Sequence, residues 1–197
     1  MIWGVRIEMK ITGFVGSPRK GGNTDVLVRQ ALAGAEEAGA ATRLIYLNDV
    51  AFRDCQGCGF CKRAGACRLN DGMEELYEAI RESDGIVLGS PVYFGMITGT
   101  AKSFIDRWYA FLNDDFTSRI PPGKTAALIL PQGDVNPDVY APMATHFSVT
   151  LEFFGFRVAA PLIAAGMLDA GDAGKDEALM ARAYALGQAL VPSQTEK

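Results

Sequence analysis

Short apolar runs and amphipathic segments alternate along most of the chain. The apolar runs predict buried strands over residues 11–16, 42–47, 85–90, 124–130 and 157–164. The segments between and after these runs predict helices over residues 25–38, 73–82, 100–112, 139–154 and 176–190. The helical spacing of apolar positions is clearest in the second of these helices, at Met73, Leu76, Tyr77 and Ile80. The sequence therefore predicts five strands in alternation with five helices.

The predicted strands are continuous apolar runs, which is typical of a parallel sheet that is buried on both faces. Right-handed crossovers then give a doubly wound α/β sandwich, either flavodoxin-like or a truncated classical dinucleotide-binding fold. A length of 197 residues suits one domain that covers residues 1–197. Because the loops that follow parallel strands open at one edge of the sheet, we expect the ligand site at that edge.

The segment after the second predicted strand, residues 48–72, contains every cysteine of the chain. With about 25 residues it is longer than an ordinary connection, and long structured loops in compact domains are usually functional. The four cysteines follow one another at short intervals: Cys55, Cys58, Cys61 and Cys67. Such spacing is typical of one cubane iron-sulfur cluster, in which each thiolate reaches a different iron. A zinc site and metal-free thiols, reduced or paired in a redox disulfide, are the alternatives.

The loop after the first predicted strand is rich in glycine and polar residues and leads into a helix. Free backbone N–H groups and the helix dipole at such an N-terminus favour an anion. Ser17, Asn23 and Thr24 add neutral donors, and Arg19 adds positive charge. The loop has neither the Lys-Ser/Thr pair of a nucleoside-triphosphate loop nor the G-x-G-x-x-G pattern of classical dinucleotide folds. It predicts a phosphate site, and a plain helix cap formed by Asn23 or Thr24 is the alternative.

The loop after the third predicted strand, residues 91–95, places two aromatic side chains between a proline and a glycine. A flat heteroaromatic ring can pack against such a loop, and residues 132–134 of the fourth loop can close its other side. In the helix that follows the third loop, Lys102, Asp106 and Arg107 predict a solvated face or a subunit contact. Contact with a pyridine nucleotide is the alternative for these three charged residues.

The composition narrows the classes of function. The chain has 19 Lys and Arg and 23 Asp and Glu, a formal net charge of −4, and no basic block, so we expect no nucleic-acid partner. The sequence contains no stretch of about 18 apolar residues, so it predicts no membrane span. The N-terminus lacks the pattern of a secretion signal, so we expect a cytoplasmic protein with reduced cysteines. We assign no function to residues 1–8.

Three motifs, in the order in which they occur here, resemble those of the NAD(P)H-dependent FMN reductase superfamily, and most closely those of its iron-sulfur flavoproteins. The motifs are residues 16–19 with 22–24, the compact cysteines, and residues 90–95. The resemblance is strong over residues 9–135. It implies a flavodoxin-like three-layer sandwich around a five-stranded parallel sheet of order 2-1-3-4-5, with the cysteine loop as an insertion. It also implies a homodimer or a homotetramer.

The resemblance implies FMN as the cofactor and assigns residues to it by position. The FMN phosphate would be held by Ser17, Arg19, Asn23 and Thr24. The isoalloxazine ring would be framed by Pro91, Val92, Tyr93, Phe94, Gly95 and Gly133. The ligands of a [4Fe-4S] cluster would be Cys55, Cys58, Cys61 and Cys67.

The activity that the resemblance implies is that of an NAD(P)H-dependent FMN oxidoreductase. A reduced nicotinamide or a redox partner would reduce the flavin, which would pass electrons singly to the cluster and on to a small-molecule or protein acceptor. No side chain is required as a catalytic acid or base. The alternatives are a cluster-free NAD(P)H-dependent FMN, quinone, azo or nitro reductase, a non-enzymatic flavodoxin-like electron carrier, and a zinc-stabilised binding module.

Overall fold

The computed structural model of the protein describes residues 8–192, so residues 1–8 lie outside the description except for Glu8. Its strands are β1 Lys10–Val15, β2 Ala41–Tyr46, β3 Gly85–Gly89, β4 Val92–Tyr93, β5 Met96–Ile97, β6 Thr125–Pro131, β7 Arg157–Val158 and β8 Leu162–Ala164. Its helices are α1 Asn23–Glu37, α2 Phe60–Ala64, α3 Met73–Glu82, α4 Gly99–Arg107, α5 Ala141–Phe153, α6 Asp172–Lys175 and α7 Glu177–Ala189. No helix within the described range is both long and apolar enough to cross a membrane.

The central sheet is parallel, with the order β2-β1-β3-β6-β7, and β8 also pairs with β6. In this order β6 is the predicted fourth strand, and β7 with β8 forms the predicted fifth strand. The observed order is therefore 2-1-3-4-5 in the predicted numbering, and the predicted flavodoxin-like sandwich is confirmed. The predicted fifth strand, residues 157–164, is divided into β7 and β8, which pair with the beginning and the end of β6. Pro161 lies between the two parts, and its lack of an N–H explains the interruption of the ladder.

Helices cover both faces of the sheet. Successive residues of β1 point to opposite faces: Phe14 packs in one apolar core with residues of α3, α4 and α5, whereas Ile11 and Val15 pack in the other core with residues of α1 and α7. Burial on both sides is the reason why the strands are continuous apolar runs in the sequence.

Helices α1 and α7 approach each other closely because each contributes a glycine where they cross. A Cβ on Gly34 would collide with the carbonyl group of Tyr184, and a Cβ on Gly187 would collide with the backbone of Ala31. The C-terminal helix is thereby held against α1, the helix that begins at the predicted phosphate loop.

Three local features differ from the prediction. The loop after β3 contains a small antiparallel hairpin formed by β4 and β5. The cysteine loop contains the short helix α2. The predicted helix over residues 100–112 ends as an α-helix at Arg107 and continues as a 3₁₀ turn, Trp108–Phe111.

Candidate functional site

A pocket of about 240 Å³ opens at the carboxyl edge of the sheet, where the loops after β1, β3, β6 and β8 meet. Its lining is Ser17, Arg19, Gly22, Asn23, Thr24, Pro91, Val92, Tyr93, Pro131, Gly133, Met167, Leu168 and Ala170. The structure therefore brings together all of the predicted cofactor-binding residues except Phe94 and Gly95, which lie outside this lining.

The loop after β1 forms one end of the pocket and leads into α1. Because Asn23, Thr24 and Asp25 are the first three residues of α1, the helix itself does not bond their backbone N–H groups. Ser17 is 5% exposed, and its Oγ accepts a hydrogen bond from the N–H of Arg19 at 3.2 Å. Backbone N–H groups, a hydroxyl group and a guanidinium group thus line one end of the pocket, an arrangement that suits a phosphate.

The side chain of Asn23 has hydrogen-bond partners of its own. Its Oδ1 accepts from the backbone N–H groups of Gly171 and Ala173, both at 3.1 Å. Its Nδ2 donates to the carbonyl oxygen of Asp169 at 2.8 Å. The N-cap of α1 is Gly22, which makes no side-chain hydrogen bond, so the predicted cap by a side chain at position 23 or 24 is wrong. The Asn23 amide instead joins α1 to the loop after β8.

Asp25 fixes the turn that precedes α1. Its carboxylate is buried and accepts hydrogen bonds from the N–H of Gly21 at 2.7 Å and from Nε of Arg29 at 2.9 Å. The hydroxyl group of Tyr46, at the end of β2, donates to the same carboxylate at 2.9 Å. Gly21 has a φ of +74°, which glycine adopts without strain. The conformation of the loop is thereby set by side chains of α1 and β2.

The β4–β5 hairpin forms another wall of the pocket. Tyr93 lines the pocket and is 45% exposed. Phe94, in the hairpin turn, is fully exposed and has a φ of +50°, a conformation that is uncommon for a bulky side chain. Of the two aromatic residues that the sequence placed at the ring, only Tyr93 therefore lines the pocket.

The loop after β8 supplies Met167, Leu168 and Ala170 to the pocket, a contribution that was not predicted from the sequence. A hydrogen bond from the N–H of Met167 to the carbonyl oxygen of Gln132, at 2.9 Å, connects this loop to the loop after β6. A Cβ on Gly133 would come within 3.0 Å of the Leu168 side chain, so the small residue allows this close approach. The place of this loop after a predicted strand could have indicated its role, because every loop that follows a strand of the parallel sheet opens at the same edge.

The cysteine loop begins beside the phosphate loop. Asn48, which follows β2, donates from Nδ2 to the carbonyl oxygen of Gly16 at 3.4 Å. The four cysteines line one cavity of about 20 Å³, together with Gln56, Gly59, Arg68, Leu69, Arg107, Tyr109 and Ala110. All four are free thiols, and their exposure ranges from buried Cys61 to exposed Cys58. Burial raises the pKa of the Cys61 thiol, and the neighbouring cysteines add to this effect.

A side chain from outside the cysteine loop, that of Arg119, donates hydrogen bonds to the backbone of the loop. Its Nη1 donates to the carbonyl oxygen of Cys61 and its Nη2 to that of Lys62, both at 3.2 Å. Gly59 and Gly65, which flank α2, have φ values of +67° and +75°. The short helix that carries Cys61 is therefore defined at both ends and anchored to the protein body.

Arg107 is the second arginine that holds the cysteine loop, and the prediction that it lies on a solvated face is wrong, since the residue is 2% exposed. Its Nη1 donates to Asp71 Oδ2 at 2.9 Å and to the carbonyl oxygen of Arg53 at 2.7 Å, and its Nη2 donates to Asp71 Oδ1 at 3.1 Å. Burial by itself lowers the pKa of Arg107, but the hydrogen bonds with Asp71 and the interaction with Tyr77 together outweigh it and raise that pKa. Lys102 and Asp106, by contrast, form an exposed ion pair, as predicted for a solvated face.

The side chains around the cysteine cavity determine which kind of metal group they suit. Within residues 8–192, no three His, Cys, Asp or Glu side chains are grouped closely enough to hold a single metal ion. A zinc site requires four ligands around one point, whereas the thiolates of a cubane bind different irons and stand further apart. Four free thiols around one cavity, beside a buried guanidinium group, have the donor chemistry that suits a polynuclear iron-sulfur cluster.

Comparisons with known proteins identify the family to which the chain is similar. Residues 9–133 match the model of the family described as NADPH-dependent FMN reductase. A putative NAD(P)H-dependent FMN-containing oxidoreductase of Bacillus subtilis is 30% identical over 152 residues, which cover 75% of this chain and 80% of that protein. An iron-sulfur flavoprotein of Methanocaldococcus jannaschii is 46% identical over 99 residues, which cover 50% of this chain and 51% of that protein. The chain thus spans about half the length of the iron-sulfur flavoproteins that it matches.

Among solved structures, an NAD(P)H:quinone oxidoreductase from Methanothermobacter marburgensis has a similar fold. The TM-score is 0.76, the sequence identity is 18%, and the alignment covers 95% of this chain and 99% of that chain. At this level of identity the likeness concerns the fold alone.

Proposed function

The chain belongs to the NADPH-dependent FMN reductase family, and on that premise we propose that it is an FMN-dependent oxidoreductase with an iron-sulfur cluster. In this proposal it takes electrons from NAD(P)H or a redox partner and passes them to a small-molecule or protein acceptor. The cluster is a [4Fe-4S] group held by Cys55, Cys58, Cys61 and Cys67.

The observation that carries the proposal is the pocket at the carboxyl edge of the sheet. It combines an anion-binding end, formed by the N-terminus of α1, with an end that is lined by the β4–β5 hairpin and Gly133. This combination suits a molecule that has a phosphate at one end and a planar ring at the other. The loop after β2 carries the four free thiols, and Asn48 near its start is hydrogen-bonded to the carbonyl oxygen of Gly16, beside the loop that forms the anion-binding end.

Each part of the protein then has a defined task. The backbone N–H groups of α1, with Ser17 and Arg19, bind the phosphate, while Pro91, Val92 and Tyr93 contact the ring. The chemistry that FMN supplies when it is bound is acceptance of electrons in pairs and their release singly. The cluster supplies one-electron transfer at a potential that the surrounding charges and hydrogen bonds set. The protein contributes position and potential, and no acid or base is required.

The test is an absorption spectrum of protein purified without oxygen, combined with analysis of iron, sulfide, zinc and flavin. We expect flavin bands on a broad cluster shoulder, with about four irons per chain. Oxidation of NAD(P)H in air then distinguishes a reductase from a non-enzymatic electron carrier. Absence of flavin would overturn the proposal as a whole, and zinc in place of iron would overturn its cluster part.

A second candidate is a cluster-free NAD(P)H-dependent FMN or quinone reductase. It is favoured by the match to the FMN-containing oxidoreductase of Bacillus subtilis, which covers more of this chain than the match to the iron-sulfur flavoprotein of Methanocaldococcus jannaschii. The same analysis separates the two candidates. Flavin without iron, together with full NAD(P)H oxidation after chelation, would identify the cluster-free reductase.

A further inference from the structure

Arg107 is a buried cation at the end of α4. Its side chain is 1% exposed, and a guanidinium group that is removed from water costs several kcal/mol unless it is paired. The pair with Asp71, which contacts both Nη atoms, supplies this compensation. Two of the three nitrogen atoms of the guanidinium group therefore donate hydrogen bonds to residues of the cysteine loop.

The third nitrogen atom, Nε, is buried and has no hydrogen-bond partner in the described chain. Burial of an unbonded donor is unfavourable, so such groups are rare in folded proteins and call for an explanation. Arg107 lines the same small cavity as the four cysteines. A role limited to bracing the loop uses the two Nη atoms and leaves the Nε–H unexplained.

We propose that Arg107 is a binding residue of the four-cysteine site, in which its Nε–H donates a hydrogen bond to a sulfur atom of the anionic group that the cysteines hold. This inference rests on the proposed cluster and goes beyond it, because it assigns a non-cysteine side chain to the site. Four thiolates and their metal–sulfur core carry net negative charge, and a hydrogen bond from the guanidinium Nε–H to one of their sulfur atoms stabilises that charge. The expected consequence is a higher reduction potential, since the reduced group is the more negative one.

The neighbouring cations do not have the same position. Lys62 donates to the carbonyl oxygen of Asn113 and lies over the rings of Phe116 and Tyr109, at 3.9 and 4.6 Å from their centroids. Arg68 lines the cavity but is exposed, so water screens its charge. Among these cations, Arg107 alone combines burial with a place in the cavity lining, and Arg68 is therefore the matched control.

The experiment compares reconstituted, oxygen-free protein of the wild type with three variants: Arg107→Gln, Asp71→Asn and Arg68→Gln. Iron per chain, flavin per chain and the midpoint potential of the cluster are measured for each. We expect Arg107→Gln to lower the equilibrium constant for cluster reduction about tenfold, which is about 59 mV for one electron. Asp71→Asn removes the opposite charge and shifts the potential in the opposite direction. Arg68→Gln has the smallest effect of the three.

The outcomes separate this inference from the proposed function. Wild-type protein without iron refutes the cluster and this inference together. A different result refutes only the role of Arg107. In that case the wild-type protein holds four irons, but the midpoint potentials of Arg107→Gln and Asp71→Asn are unchanged or move in the same direction. If Arg107→Gln fails to fold, the midpoint potential is measured on Arg107→Lys instead. This variant keeps the charge and the pair with Asp71 but has no donor at the position of Nε. We expect its reduction equilibrium constant to fall about threefold, and a wild-type value would overturn the inference.

Discussion

The role of Asn23 can be tested by replacing it with alanine. The sequence assigns its side chain to the cofactor phosphate, whereas the structure uses that side chain to join α1 to residues 169–173. Each of the three hydrogen bonds contributes about 0.5–1.5 kcal/mol to stability. Since the partners are partly exposed, we expect Asn23→Ala to lower the free energy of unfolding by about 2 kcal/mol, even without FMN. For a chain of this length that is a decrease of about 4–8 °C in the melting temperature.

The same change also acts on the pocket. The loop that Asn23 holds carries Met167 and Leu168, so its release removes one wall and weakens FMN binding. Asn23→Asp keeps the two accepted hydrogen bonds but places a negative charge at the proposed phosphate site. We expect this variant to lose only about 1 kcal/mol of stability and yet to bind FMN about tenfold more weakly, a change of about 1.4 kcal/mol in binding free energy.

The assays are urea unfolding of the apoprotein and FMN titration followed by flavin fluorescence. Gln30→Ala, on the same helix two turns further on, is the matched control and should leave both quantities near the wild-type values. The result that would refute the structural reasoning is an Asn23→Ala apoprotein of unchanged stability that nevertheless binds FMN more weakly. That result would indicate that the Asn23 amide binds the phosphate, as the sequence predicts.

Four further predictions concern the cysteines, the phosphate loop, the helix crossing and the loop brace. Cys58→Ala should remove iron while FMN stays bound, and full iron content would contradict its assignment as a ligand. Arg19→Ala should weaken FMN binding about tenfold by loss of a charged phosphate contact, and titration would show it. Gly187→Ala should destabilise the protein by about 1–3 kcal/mol through overpacking, whereas Gly99→Ala, where a Cβ meets open space, should be neutral or slightly stabilising in urea unfolding. Burial raises the pKa of Asp71, but hydrogen bonds to its carboxylate outweigh this and hold that pKa below its ordinary value. The contribution of Asp71 to stability is therefore present above about pH 4 and is lost as the pH falls further. Asp71→Asn should reduce this acid sensitivity, which urea unfolding at several pH values would measure.

The sequence by itself determined the sheet and the location of the site. Buried parallel strands must be apolar on both faces, so they are visible as uninterrupted runs at residues 11–16, 85–90 and 124–130. The loops that follow such strands meet at one edge for geometric reasons, and residues of 17–24 and 91–93 accordingly line a common pocket. The compact cysteines were equally visible, because their spacing is a local property of the chain.

Only the tertiary structure decided which side chains within those loops are free and which are already bonded. The partners of Asn23 lie almost 150 residues away along the chain, and those of Arg107 lie in a different loop, so no local pattern reveals them. The burial of Arg107 follows from packing of the cysteine loop over the end of α4, although its neighbour Asp106 is exposed. The wall formed by Met167 and Leu168 arises in the same way, from a loop whose residues carry no distinctive chemistry. A hydrogen bond between distant segments depends on the fold that brings them together, which is why its consequences for this site appear only in the folded protein.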